Sequence, residues 1–129
     1  MEEPIWLSEW LVRTLHAESI SRFGGTPGIR DQGLLQSALA RPRNLHAYGG
    51  GSSIYELAAT YGVAIIQNHA FIDGNKRAGL LAIRAFLFRN GHRFSPDQQE
   101  MVRMAEDVAT EDVSRDQLAD WIAANSVRR

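Results

Sequence analysis

The sequence predicts an all-α fold of about six helices around a buried central helix, with at most a small flap or hairpin in addition. Apolar residues recur at helical spacing in most segments, and no run alternates apolar and polar residues as a half-buried strand does. A length of 129 residues indicates a single domain over residues 1–129. The absence of cysteine excludes disulfides, thiolate metal sites and a cysteine nucleophile.

The first two helices are predicted from their caps and stop signals. The first runs from about Ser8 to Arg22, because Ser8 is a good N-cap and a glycine-rich loop follows. The second fits Asp31 to Leu39, with Asp31 as its N-cap. Pro42 lies just beyond its predicted end, since proline does not continue a helix.

A glycine-rich stretch and a strong capping signal precede the third helix. Residues 43–53 include three consecutive glycines and are predicted to form a mobile loop or a short flap. Ser53 and Glu56 have the spacing of a capping box, so the third helix starts there and ends near His69.

The fourth helix is predicted to begin around Asn75 and to end at Asn90 or Gly91. From Ala78 to Phe88 it is apolar almost all round, which indicates the buried centre of the fold. A fifth helix opens at Pro96 with Ser95 as its N-cap, and Ser114 caps the sixth.

The net charge of −1 conceals a basic middle of the chain. Residues 22–93 carry nine bases and three acids, whereas residues 94–129 carry four bases and eight acids. The basic middle suits an anionic ligand such as a nucleotide, and a solvated arginine-rich surface is the alternative. An isoelectric point near 6.4 argues against direct nucleic-acid binding by the chain alone.

Nothing in the sequence predicts a membrane or secreted protein. The acidic start, Met1-Glu-Glu-Pro, does not resemble a signal peptide. The most apolar stretch is too short to span a bilayer and contains Arg84. We therefore expect a cytoplasmic protein with no membrane partner.

The nine residues from His69 to Arg77 connect the third helix to the fourth and concentrate chemically active groups. Gly74 permits a positive φ, and the backbone N–H groups that follow it are unpaired donors at the positive end of a helix dipole. Such an end binds phosphate readily, and Lys76 and Arg77 add two positive charges. Lys76 is the single lysine beside 13 arginines.

Simpler interpretations of these residues remain open. The Asp-Gly-Asn sequence is itself a common turn, and Asp73 with Arg77 has the spacing of an ordinary i,i+4 ion pair. A lone histidine such as His69 is more often structural than catalytic. Phe71 is predicted to be a buried structural anchor for the loop.

The same nine residues resemble the Fic/Doc family signature, His-x-Phe-x-Asp/Glu-Gly-Asn-Gly/Lys-Arg. Every fixed position is filled, by His69, Phe71, Asp73, Gly74, Asn75, Lys76 and Arg77. The run from Phe23 to Pro42 and the Phe86-Leu-Phe-Arg-Asn-Gly sequence also look like death-on-curing (Doc) toxins. The resemblance covers roughly residues 5–125 and implies the Fic fold.

The resemblance implies a transferase that uses ATP. Fic proteins typically transfer an adenylyl group to a protein hydroxyl. The Doc branch has lysine in place of the second glycine, as Lys76 is here, and is associated with phosphoryl transfer to a threonine of elongation factor Tu, which arrests translation. The implied function is the toxin of a type II toxin–antitoxin pair with a cognate antitoxin as partner. An adenylyltransferase and a non-catalytic, antitoxin-binding co-repressor are the alternatives.

The resemblance also implies roles for individual residues. His69 is the general base for the target hydroxyl. The phosphates of ATP are held by Gly74, Asn75, Lys76 and Arg77. Asp73 has three open roles: a Mg²⁺ ligand, an orienting group for the target hydroxyl, or a partner for Arg77 or Lys76.

Departures from the family pattern are few. Ala70 stands where many Fic proteins have proline, and Leu80 stands where adenylylating members often carry a second arginine. Ser52 and Glu56 have the spacing of a self-inhibitory motif, but Leu57 follows and the capping box explains them better.

Overall fold

A computed structural model describes residues 3–129 and confirms the all-α prediction. Within these residues the chain forms six helices and two three-residue strands. In chain order the elements are α1 (Glu9–Phe23), α2 (Gln32–Tyr48), α3 (Ile54–Asn68), α4 (Asn75–Arg89), β1 (His92–Phe94), α5 (Gln98–Ala109), α6 (Arg115–Ala124) and β2 (Ser126–Arg128).

Helix α2 is longer than the sequence predicts, because Pro42 lies inside it and not beyond its end. The helix continues to Tyr48, so the predicted loop or flap of residues 43–53 shrinks to residues 49–53. Pro42 is buried together with Ala38 and Leu39 on the inner face of α2. Burial of this apolar face compensates for the backbone hydrogen bond that proline cannot donate.

Helix α5 begins two residues later than predicted. Its N-cap is Asp97 in place of Ser95, and the Asp97 carboxylate accepts hydrogen bonds from the N–H groups of Gln99 and Glu100. A carboxylate caps a helix start as well as a serine hydroxyl does, and its charge also suits the helix dipole.

The buried central helix is α3, whereas the sequence pointed to α4. Helix α3 packs against α2, α4, α5 and α6. It carries one charged residue, Glu56 in its first turn, while α4 carries four and exposes Arg84 and Phe88. Because charged side chains must reach solvent, α4 can bury only one face. The two helices share the largest part of the core, which includes Leu57, Ile65, Ile66, Ile83 and Phe86.

Helices α3 and α4 approach each other closely through two glycines. A Cβ atom at Gly79 would lie 2.6 Å from Cγ1 of Ile66 and 3.2 Å from the carbonyl oxygen of Gly62. A Cβ atom at Gly62 would lie 2.6 Å from Cδ1 of Ile83. The glycines therefore fix the spacing of the two helices that flank the His69–Arg77 segment.

The small sheet joins two segments that are distant in sequence. Strands β1 and β2 pair antiparallel, with His92 opposite Arg128 and Phe94 opposite Ser126. Helices α5 and α6 lie between them in the chain, so the pair is not a hairpin. Among residues 3–129, no helix combines the length and apolar character that crossing a bilayer requires.

Candidate active site

The segment between α3 and α4 places His69 at the C-terminal end of one helix and Lys76 in the first turn of the next. His69 caps α3 in the left-handed conformation, with φ 50° and ψ 46°. Its side chain is exposed, as are those of Asp73 and Lys76. The candidate groups therefore face solvent and are accessible to a ligand.

The turn itself is closed by Asn75 and anchored by Phe71. The Asn75 amide accepts a hydrogen bond from the N–H of Phe71 at 3.0 Å and donates one to the carbonyl oxygen of Phe71 at 3.0 Å. The Phe71 ring is 1% exposed and stacks on the imidazole of His16, with ring centroids 3.8 Å apart. The Asn75 side chain thus shapes the turn, and its backbone N–H is the group left for a ligand.

His16 is buried and supports the same turn from α1. Its Nε2 lies 2.7 Å from the carbonyl oxygen of Asp73. Because a carbonyl only accepts, Nε2 must carry the proton. His16 is therefore a structural residue, and its contact with Asp73, 57 positions away in the chain, has no local signal in the sequence.

The loop between α1 and α2, residues 24–31, runs along the segment and bonds it at several points. The N–H of Ile72 donates to the carbonyl oxygen of Gly28, and the N–H groups of Arg30 and Asp31 donate to the carbonyl oxygen of Ala70. Residues Ile29 and Phe71 form an isolated antiparallel bridge. The sequence identified residues 24–28 as a loop but gave no sign of these partners.

Backbone hydrogen bonds from this loop and from Gly74 stabilise the ionised form of the Asp73 side chain. One of its oxygens accepts the N–H of Thr26 at 3.1 Å, and the other accepts the N–H of Gly74 at 2.8 Å. These two hydrogen bonds, with a smaller contribution from the charge of Arg77, lower the pKa of Asp73 below its ordinary value. Asp73 is therefore ionised at neutral pH.

Arg77 is not the ion-pair partner of Asp73 that the i,i+4 spacing suggested. Its Nη2 donates to the carbonyl oxygen of Gly24 at 2.8 Å. Among residues 3–129, no salt bridge joins Arg77 to Asp73. Both side chains instead enclose Gly25, where a Cβ atom would lie 2.8 Å from Oδ2 of Asp73 and 3.1 Å from Nη2 of Arg77.

The start of α4 leaves backbone hydrogen-bond donors without partners among the described residues. Gly74 is its N-cap with φ 76°, which confirms the predicted positive φ, and it offers no side-chain cap. In the described part of the chain, the N–H groups of Asn75, Lys76 and Arg77 have no hydrogen-bond acceptor. Lys76 forms no ion pair with any of residues 3–129. Unpaired donors and a free ammonium at one helix start favour phosphate.

The one carboxylate of the candidate site, Asp73, does not form a complete metal-binding site by itself. No group of three or more His, Cys, Asp or Glu residues within residues 3–129 has the arrangement of a metal site. Asp73 is one carboxylate, and each of its oxygens already accepts one hydrogen bond and keeps a further lone pair. Such a group fits Mg²⁺ that is also held by nucleotide phosphates and water.

Comparisons with known proteins agree with this geometry. Residues 6–87 match the Fic/DOC family, which is more than half of the chain. Over 108 residues the chain is 37% identical to "Protein kinase doc" of Escherichia phage P1, covering 84% of this chain and 85% of that protein. Over 121 residues it is 38% identical to "Toxin Doc" of Mycolicibacterium smegmatis, covering 92% of this chain and 91% of that protein. The chain, with its open helix start and its flanking histidine, therefore belongs to the Fic/DOC family.

Proposed function

We propose that this protein is a Doc-type toxin that transfers the γ-phosphoryl group of ATP to a threonine of elongation factor Tu in the cytoplasm. The observation that carries the proposal is Lys76, which is exposed beside the uncapped N–H groups of α4. The similarity to proteins named "Protein kinase doc" and "Toxin Doc" supports it. A toxin of this kind requires a cognate antitoxin as its partner.

Binding of the triphosphate follows from the start of α4. The N–H groups of residues 75–77 point out of the first turn, where the helix dipole also favours negative charge. Lys76 adds a compact ammonium that rotates freely to meet a phosphate oxygen. Arg77 is held by Gly24 and contributes its charge from a fixed position.

The transfer step assigns the proton to His69. The target hydroxyl gives its proton to the imidazole as its oxygen bonds to the γ-phosphorus. The bond from the γ-phosphorus to the bridging oxygen breaks, and ADP leaves with that oxygen. The donors at the start of α4 stabilise the charge that develops on the phosphates.

Asp73 is the residue that would hold Mg²⁺. Its ionised carboxylate is exposed and directed by Thr26 and Gly74, so it offers a fixed oxygen to a hydrated ion. When bound, Mg²⁺ supplies neutralisation of phosphate charge.

Adenylyl transfer is the second candidate, because an open helix start accepts either end of a triphosphate. Leu80 stands where adenylylating members often have arginine, and here it is half-buried against the core. It lines a cleft of about 330 Å³ together with Arg77 and Met101. The site therefore lacks the second cation at that position, which favours phosphoryl transfer.

Two labelled nucleotides distinguish the candidates. The protein is incubated with elongation factor Tu and with ATP labelled at either the γ- or the α-phosphate. Label transferred from the γ position alone is the expected result, and mass spectrometry should find a single added phosphate on a threonine. Label that arrives from the α position would replace the proposal with adenylyl transfer.

The variant His69→Ala tests whether chemistry is involved at all. Loss of a general base is expected to lower the transfer rate about 10²–10⁴-fold. The melting temperature should stay unchanged because the side chain is exposed. Arg103→Ala, an exposed cation on α5, is the control. If His69→Ala still arrested growth fully, the non-catalytic co-repressor would be the better account.

A further inference from the structure

The backbone at His69 adopts a conformation that needs external support. Within residues 3–129, His69 is one of two non-glycine residues with positive φ, the other being Glu111. A left-handed residue at a helix end is usually glycine, because a Cβ atom is strained there. Strain at a chemically active residue persists only where surrounding groups hold it.

The side chain of Arg30 supplies that support. Its Nε donates to the carbonyl oxygen of His69 at 2.8 Å, and its Nη2 donates to the carbonyl oxygen of Asn68 at 3.2 Å. These carbonyls lie at the C-terminal end of α3, which lacks intrahelical donors and carries the negative end of the helix dipole. One guanidinium therefore satisfies the peptide groups on both sides of the His69 α-carbon.

Backbone hydrogen bonds fix the position of Arg30 relative to the His69 segment. Its N–H and that of Asp31 both donate to the carbonyl oxygen of Ala70, the residue after His69. Asp31 in turn caps α2 by accepting the N–H of Leu34. Arg30 forms no salt bridge with any of residues 3–129, so the polar contacts of its side chain in that range are the two carbonyls.

We propose that Arg30 is a positioning residue for His69, acting through the backbone of that residue to aim the imidazole at the target hydroxyl. The inference rests on the proposed function, in which His69 is the general base. The planar fork of arginine reaches both carbonyls together, which an ammonium cannot do. Loss of the fork frees the left-handed backbone to relax toward ordinary helical or extended angles and moves the imidazole.

Kinetics and NMR together test the proposal on the full chain. In Arg30→Met, kcat for phosphoryl transfer should fall about 10-fold to 100-fold, as expected for a displaced reacting group, while KM for ATP stays unchanged. The ¹³Cα and ¹³Cβ shifts of His69 should leave the values typical of a left-handed residue. Arg30→Lys should fall between the parent and Arg30→Met in both readouts, and Arg41→Met, an exposed arginine on α2, should change neither.

The outcomes separate this inference from the proposed function. Unchanged His69 shifts in Arg30→Met would overturn it, whether or not kcat falls, because the action must pass through His69. If Arg30→Met fails to fold, Arg30→Lys carries the same two measurements. The NMR readout needs no activity, so it still decides the role of Arg30 if no phosphoryl transfer is found. A double variant Arg30→Met/His69→Ala should be no slower than His69→Ala, and a further loss would contradict the proposal.

Discussion

The N-terminal ends of α3 and α4 differ in their capping: α3 has a complete capping box, whereas α4 has no side-chain cap. At the start of α3, Ser53 accepts the N–H of Glu56 while the Glu56 carboxylate accepts the N–H of Ser53. At the start of α4, Gly74 offers no side chain and three N–H groups remain without acceptors in the described residues. The helix without a side-chain cap is the one whose first turn belongs to the family motif. The absence of a cap lowers the local stability of α4, but it leaves backbone N–H donors that a ligand can use.

Closing the start of α4 should have the largest effect. Gly74→Asp places a carboxylate where we expect phosphate, and Gly74→Asn imposes the same backbone strain without the charge. ATP is expected to bind about 100-fold more weakly to Gly74→Asp than to Gly74→Asn, because like charges at short range repel. Isothermal titration of ATP measures the difference. Equal affinities would mean that phosphate does not bind at this helix start.

Removal of the free cation should have the next largest effect. Lys76→Ala is expected to weaken ATP binding about 10-fold, the value of a hydrogen bond to a charged group. The same titration measures it, with Arg89→Ala at the opposite end of α4 as the matched control. A loss of the same size in the control would show that overall charge, and not position, controls binding.

The start of α3 should show the reverse behaviour. Ser53→Ala removes a capping box and is expected to lower the free energy of unfolding by about 1 kcal/mol with no change in ATP affinity. Urea denaturation measures the stability, and Ser37→Ala on the exposed face of α2 is the control. A change in ATP affinity without a change in stability would contradict the division of roles between the two helix starts.

The smallest expected effect is the change with acidic pH in the stability that Asp73 contributes. Because the pKa of Asp73 in the folded protein lies below its ordinary 3.8, its carboxylate stabilises the fold fully above that pH. This contribution disappears as the pH falls from 3.8 through the lower folded pKa. The stability difference between the parent and Asp73→Asn should therefore shrink on acidification, as measured by urea denaturation in a pH series. A stability difference that does not shrink on acidification would argue against the Thr26 and Gly74 hydrogen bonds.

Local signals in the sequence were sufficient for most helix starts. Ser8, Asp31, Ser53 and Ser114 all cap the helices predicted from them. The exceptions arose where two rules competed. The sequence predicts a stop at Pro42 because proline breaks isolated helices, but Pro42 lies within α2, where its apolar face is buried. Asp97 replaced Ser95 as a cap because both residue types suit that position.

The supports of the site lay beyond local signals. The order of His69, Gly74 and Lys76 follows from adjacency in the chain, so the motif and its helix start were predictable. The bonds from Thr26 to Asp73, from Arg30 to His69 and from His16 to Asp73 join residues 39 to 57 positions apart. Nothing in the spacing of polar residues announces such pairs, since they depend on how α1 and α2 pack.

Helices α3 and α4 cross closely at Gly62 and Gly79, so the geometry of the candidate site depends on packing at a distance from it. These two positions carry no functional group, yet they set how far apart the last turn of α3 and the first turn of α4 can lie. A single methyl group added at either glycine would push the two helices apart and increase the distance between the His69 imidazole and the Lys76 ammonium. We therefore expect that added side-chain bulk at Gly62 or Gly79 would impair the proposed phosphoryl transfer, although both glycines lie in the interior and carry no functional group.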